Sequence, residues 1–97
     1  MDYISIYSNP TINKNCTIIL TIKSILYDMK YNKYIRYDEI NSLLDRLTFK
    51  ESLLINKYFN TNNFIGLKYC LIDLKIKKSK EQDFLIKNFR KNNKNVY

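Results

Sequence analysis

The chain has 97 residues, of which 45% are apolar and 14% aromatic, enough for one compact core but too few for two domains. It contains no histidine and a single glycine, which excludes histidine-based catalysis, histidine metal ligands and a glycine-rich phosphate loop. Its formal net charge of +8 indicates an anionic partner.

The cysteines and the hydropathy pattern narrow the class of protein further. Cys16 and Cys70 lack the close spacing of zinc ligands, so we expect free thiols in a reducing compartment. No apolar stretch has the length of a membrane span, and the first residues do not resemble a signal peptide. We therefore expect a cytoplasmic protein (nuclear in a eukaryotic host) that is not an enzyme. We expect it to use no cofactor, metal ion, membrane or small-molecule substrate.

The positive charge is concentrated in the last third of the chain. Residues 1–67 carry eight basic and six acidic side chains, whereas residues 68–97 carry nine basic and three acidic ones. A uniform bias of the coding sequence towards lysine accounts for an overall excess, but less well for this asymmetry. The distribution is typical of a surface that binds phosphates.

Residues 3–7 alternate and are rich in β-branched and aromatic side chains, which predicts a short strand ended by residues 8–10. Residues 13–15 are predicted as loop. Ile18, Ile22 and Ile25 then recur at helical spacing, so a helix is predicted over residues 17–30.

Two further helices are predicted, with a very short connection between them. Asp38 is a candidate N-cap for a helix whose apolar residues recur at helical spacing from Ile40 to Leu47. Thr48 and Glu51 fit a capping box, so a third helix is predicted to begin at Phe49 and to run to about residue 60.

After the Asn-rich residues 60–63, the period of the sequence changes to two. The alternation over residues 68–77 predicts a strand with one apolar face and a second face that becomes basic. Ser79 and Gln82 fit a second capping box, which predicts a last helix with Phe84, Leu85 and Phe89 inward. Residues 1–2 and 92–97 are predicted to be tails of this single domain, residues 1–97.

This order of elements resembles the winged helix-turn-helix domain. The apolar residues that would pack its two crossing helices and fill the turn are Leu43, Leu44, Leu47, Phe49, Leu54 and Tyr58. The sequence departs from the family pattern at Leu44, where a small residue is usual, and at Thr48, where glycine is usual. The resemblance implies an α+β fold, with a three-helix core, a short β-sheet or wing, and a C-terminal helix.

The resemblance also implies a DNA-binding surface in three parts. The outward face of the third helix would offer Lys50, Ser52, Asn56 and Lys57. The predicted wing carries Lys75, Lys77, Lys78 and Lys80, and the last helix adds Lys87, Arg90 and Lys91. The alternative for each group is a solvated face, or a lysine-rich turn that protects a sheet edge.

We therefore expect a double-stranded DNA-binding protein that acts as a homodimer in transcription, replication or plasmid transfer, with A+T-rich DNA as a candidate target. A protein-interaction module or inhibitor of viral or mobile-element origin is the alternative. Tyr27, Tyr31 and Tyr34 recur at intervals of three or four residues, and exposure of these tyrosines away from the lysines would favour that alternative.

Overall fold

The computed structural model describes residues 6 and 8–93, and all of the regular secondary structure in this part of the chain is helical. Its elements are α1 (Pro10–Tyr27), a π-helical turn (Asp28–Asn32), α2 (Tyr37–Arg46), α3 (Phe49–Asn60) and α4 (Phe64–Asn93). Over these residues there is neither a sheet nor a wing. The predicted α+β winged-helix fold is therefore wrong, and this part of the chain is all-α.

Helix α1 begins earlier than predicted because Asn9 caps it. The Asn9 Oδ1 atom accepts hydrogen bonds from the backbone N–H groups of Thr11 at 3.0 Å and Ile12 at 3.2 Å. Pro10 occupies the first turn, where its fixed φ angle suits a helix. The predicted break at residues 8–10 is thus a helix start, and residues 13–15 are helical. The predicted strand over residues 3–7 lies outside the described residues, except for Ile6, which is helical and buried.

Helix α2 lies where the apolar spacing predicted it, but its cap differs from the prediction. Arg36 occupies the N-cap position and makes no side-chain capping bond. Asp38 lies inside the first turn with Glu39, where negative charge is favourable next to the helix dipole.

Local capping signals fix both ends of α3 as predicted. The Thr48 hydroxyl accepts from the Glu51 N–H at 3.3 Å, and the Glu51 carboxylate accepts from the Thr48 N–H at 3.0 Å. The helix ends at Asn60, and Asn62 then takes a left-handed conformation with φ 56°. Asn63 starts the next helix by accepting a bond from the Gly66 N–H at 3.0 Å.

Helix α4 replaces the predicted strand, turn and last helix by a single helix of 30 residues. Its buried residues are Leu67, Leu71, Leu74, Lys78 and Gln82, which follow a helical rather than an alternating period. The second predicted capping box is wrong because Ser79 lies inside this helix. Phe84 was predicted to point inward but is exposed, whereas Leu85 and Phe89 are half-buried.

The only glycine of the chain allows α3 and α4 to approach each other closely. A Cβ atom on Gly66 would lie 2.7 Å from the Cδ1 and Cε1 atoms of the Tyr58 ring. Any larger residue at position 66 would require this half-buried ring to move.

All four helices meet at one end of an elongated molecule that measures 51 × 26 × 19 Å. The core there consists of Ile18, Ile22, Ile25, Ile40, Leu43, Ile55, Leu67, Leu71 and Leu74. Helices α1 and α4 run antiparallel. Towards the other end, the Gln82 side chain donates a hydrogen bond to the Ile12 carbonyl at 2.9 Å.

Candidate functional sites

The four lysines of the predicted wing do not form a common surface. Lys78 is buried, with its Nζ atom 3.3 Å from Glu51 Oε2 and 3.8 Å from Glu81 Oε2. The Lys77 ammonium is exposed and lies 3.8 Å from the same Glu51 oxygen, while Lys75 is half-buried. Of these four lysines, Lys80 alone is exposed and has no ion pair among the described residues. Lys78 therefore links α3 to α4 and is not available to a ligand.

The environment of Glu51 favours the ionised form of its carboxyl group, which pairs with Lys78. Burial by itself would raise the pKa of the Glu51 carboxyl group. Hydrogen bonding to the backbone and side chain of Thr48, together with Lys78, outweighs burial and holds this pKa below its usual value.

The outward face of α3 mixes basic and apolar side chains. Lys50 and Lys57 are exposed and, seven residues apart, share one face of the helix. Ser52 and Asn56, which were predicted to read bases, are half-buried, and the Ser52 hydroxyl donates to the Phe49 carbonyl at 2.9 Å. The exposed side chain of Leu53 lies between the two lysines. This face therefore has little capacity for hydrogen bonding to bases.

The C-terminal part of α4 carries the basic residues that the structure does bring together. Lys80, Lys87 and Lys91 are exposed and share one face over about 16 Å, at 1.5 Å per residue. Arg90 is exposed beside them, and none of the four forms an ion pair within the described residues. Arg90 and Lys91 also complement the dipole at the end of the helix, a role that needs no ligand.

A second candidate site is an open aromatic cleft of about 420 Å³ at the other end of the molecule. It is lined by Met29, Lys33, Tyr34, Ile35, Tyr37, Phe59, Asn62 and Phe64. The rings of Tyr37 and Phe59 meet edge to face, with their centroids 5.3 Å apart. Lys33 and Asn62 are the two residues with left-handed φ angles in the described chain, and both lie in this lining.

The three tyrosines singled out in the sequence are exposed, and one of them, Tyr34, lines this cleft. Tyr27 and Tyr31 have ring centroids 4.7 Å apart, and the Lys30 ammonium lies 5.1 Å from the centroid of Tyr31. The spacing of the tyrosines was the sequence feature that indicated an aromatic surface in this region. It did not predict that α3 and α4 would contribute Phe59 and Phe64, because those contacts depend on tertiary packing.

Three exposed cations lie in or near the lining of the cleft. Lys30, Lys33 and Arg36 are exposed on the π-helical turn and the segment that follows it. Interaction with Tyr34, and then with the carboxylates of Asp28 and Glu39, raises the pKa of the Arg36 guanidinium, which stays charged at any physiological pH.

The acidic residues that interact with Arg36 also have hydrogen-bond partners of their own. The Asp28 carboxylate is buried and accepts from the Asn32 side chain at 2.9 Å. Glu39 accepts from the Ser24 hydroxyl at 2.7 Å, in a separate polar groove that Asp38 also lines.

The described residues contain no cluster of three or more acidic or thiol side chains suited to a metal ion. Cys16 and Cys70 are free and half-buried. Burial, and then the charge of Asp73, raises the pKa of the Cys70 thiol, which lowers its reactivity at neutral pH.

No helix within the described part of the chain is long and apolar enough to span a bilayer. Comparison of the sequence with family models and with curated proteins, and of the structure with solved structures, finds no match.

Proposed function

We propose that this protein binds double-stranded DNA through phosphate contacts made by the outward face of α4. The observation that carries the proposal is the set of four exposed basic residues without ion-pair partners in the described chain: Lys80, Lys87, Arg90 and Lys91. The protein would serve as an accessory factor in transcription, replication or plasmid transfer. It would contribute no chemical step of its own.

The chemistry of this face favours the DNA backbone over the bases. Three of the four residues are lysines, which act as point charges towards phosphates and have little geometric selectivity. The side chains predicted to read bases, Ser52 and Asn56, are half-buried on α3. We therefore expect binding with a steep salt dependence and only a weak preference between A+T-rich and G+C-rich duplexes.

A fluorescence-anisotropy titration of both duplexes at two salt concentrations tests this proposal. The triple substitution Lys80→Ala/Lys87→Ala/Lys91→Ala should reduce the slope of log K against log salt by about 2 to 3, close to 0.9 for each phosphate that the variant no longer neutralises. The control Lys14→Ala/Lys23→Ala/Lys68→Ala removes three exposed lysines elsewhere and gives the same net charge. It should leave the slope nearly unchanged.

Equal reductions in affinity in the two triple variants would show that overall charge, rather than the α4 face, drives binding. An absence of binding at low salt would refute DNA binding altogether. Light scattering with and without duplex measures the stoichiometry, and we expect two chains per short duplex, because a dimer doubles the phosphate contacts of one small module.

A different observation supports a second candidate function, that of a protein-interaction module or inhibitor. The aromatic cleft and the exposed Tyr27, Tyr31 and Tyr34 lie at the end of the molecule opposite the C-terminal part of α4. Exposed aromatic patches of this kind are typical of interaction surfaces. The two functions occupy separate surfaces and are compatible in one protein.

A further inference from the structure

We infer that the aromatic cleft binds a peptide segment of a partner protein in which bulky apolar side chains are flanked by carboxylates. This inference rests on the second candidate function, and it is independent of DNA binding by α4. The occupant is identified by its chemistry alone: an acidic peptide with an apolar anchor.

The shape of the cleft fits an inserted side chain. Its volume of about 420 Å³ lies within the range of pockets that bind small ligands and peptide anchors. Two stretches of the chain contribute walls: residues 29–37, from the π-helical turn to the start of α2, and residues 59–64, from the end of α3 to the start of α4.

Three aromatic rings in the walls of the cleft are about half or more exposed to solvent. Tyr34 is 49% exposed, Tyr37 71% and Phe64 49%. A partner that covers these rings removes apolar surface from water, which is the main source of affinity at interfaces of this kind.

The charges on the cleft select an acidic partner. Lys33 is the single charged residue in the lining, and Lys30 and Arg36 flank it. Asp28 and Glu39 lie close enough to Arg36 to raise its pKa. Asp28 is nevertheless buried, and Glu39 accepts from Ser24 in the separate groove. Lys30 and Lys33 are therefore the exposed cations that remain for a partner. A second copy of this chain is a poor occupant because it has a net charge of +8 and brings the same cations to the contact.

The test is selection from a displayed library of short random peptides against the whole protein, followed by anisotropy titration of the selected peptides. We expect the selected peptides to be rich in Asp or Glu next to Phe, Leu, Trp or Tyr. Phe64→Ala and Lys33→Glu should each weaken their binding by about tenfold or more, as expected for an anchor contact and a reversed charge. Tyr34→Ala serves as a second anchor variant if Phe64→Ala does not fold.

Two matched controls separate the cleft from the rest of the surface. Phe84→Ala removes another exposed phenylalanine of α4 that lies outside the cleft, and Lys14→Glu reverses an exposed charge on α1. Both should leave peptide affinity within about twofold of the unaltered protein.

Several outcomes would overturn the inference. One is selection of peptides without acidic enrichment, and another is binding that survives Phe64→Ala and Lys33→Glu. A self-association that Phe64→Ala abolishes would assign the cleft to a second copy of the chain. Displacement of the peptides by duplex DNA would assign it to nucleic acid, in which case the α4 lysine variants decide separately whether DNA binding by α4 stands.

Discussion

Two buried amide side chains, Asn15 and Gln82, interrupt the contact between α1 and α4. Asn15 is 3% exposed and Gln82 8%, and Gln82 donates its one bond to the Ile12 carbonyl. The Asn15 Nδ2 and Gln82 Oε1 atoms are buried and have no hydrogen-bond partner among the residues that the structure describes. An unpaired buried polar atom costs about 1–3 kcal/mol, so these residues weaken the contact that they occupy.

We expect the double substitution Asn15→Leu/Gln82→Leu to raise the free energy of unfolding by about 1–3 kcal/mol, because apolar side chains replace unpaired polar atoms. Urea denaturation followed by circular dichroism measures the change. Asn88→Leu alters an exposed amide of the same helix and should change stability by less than about 0.5 kcal/mol. A loss of stability in the double variant would contradict the expectation that these amides weaken the contact.

Residue-level features that depend on near neighbours in sequence were predictable, and those that depend on distant ones were not. The Thr48–Glu51 capping box follows from two residues three positions apart, and the structure confirms it. Lys78 was assigned to a DNA-binding wing, but its main partner, Glu51, lies 27 positions away. Nothing in the local pattern distinguishes such a buried lysine from an exposed one.

At the scale of helices, the ion pair between Lys78 and Glu51 connects the start of α3 to the middle of α4. The pKa of Glu51 in the folded protein lies below its usual value of 4.5. A carboxyl group with a lowered pKa stabilises the fold above its unfolded-state pKa, and this stabilisation is lost as pH falls through the folded-state pKa. Acidification below about pH 4.5 should therefore weaken the attachment of α3 to α4.

Glu51→Gln tests this linkage. The variant should be less stable near neutral pH by about 1–3 kcal/mol, because the buried Lys78 ammonium loses its nearest charge partner. Its stability should also depend less on pH between about 5 and 3 than that of the unaltered protein. Denaturation at a series of pH values measures both effects.

Two companion variants make the pH test specific. Glu51→Gln/Lys78→Met should recover most of the lost stability, because no unpaired charge then remains buried. Asp45→Asn removes an exposed carboxylate and should leave the pH profile unchanged. A profile that is the same for Glu51→Gln and the unaltered protein would exclude Glu51 as the titrating group.

The helix predictions were correct where capping residues and apolar spacing agreed. They were wrong where the sequence fits both the two-residue period of a strand and the period of a helix. In α4, Cys70, Ile72 and Leu74 alternate as in a strand, while Leu67, Leu71 and Leu74 fit a helix equally well. The helical stripe continues through Lys78 and Gln82, whose polarity conceals it. Tertiary packing decides between two periods that fit equally well, and the pattern of a single sequence does not contain that information.

The whole molecule is longer than a compact chain of this size. Its Cα radius of gyration is 15.4 Å, against about 12.5 Å from the usual scaling for 97 residues. The four-helix core ends at Leu74, so the two candidate sites lie on opposite ends of a rod. The sequence predicted the basic residues of one end. It did not predict the cleft at the other end, whose walls come from segments that are distant in sequence.

The two ends should differ in local stability. Within the described residues, the core cluster joins all four helices around Ile22, Ile25 and Leu71. Towards the other end fewer apolar residues are buried, and Ile12 there lies with the buried amides of Asn15 and Gln82. Local opening is easiest where few apolar contacts are broken. We expect hydrogen exchange to report opening free energies at residues 79–90 that are lower by about 2 kcal/mol or more than those at residues 67–74.

Substitution of the two buried amides tests whether they cause this difference in local stability. Asn15→Leu/Gln82→Leu should raise protection at residues 79–90 and change protection at residues 67–74 far less, because the added apolar contact lies between α1 and the C-terminal half of α4. Saturating duplex DNA should likewise protect residues 79–90 first, since their basic side chains would then be held by phosphates. Equal exchange at both ends in the unaltered protein would show that the molecule opens as one unit. The basic end would then be as stable against local opening as the core.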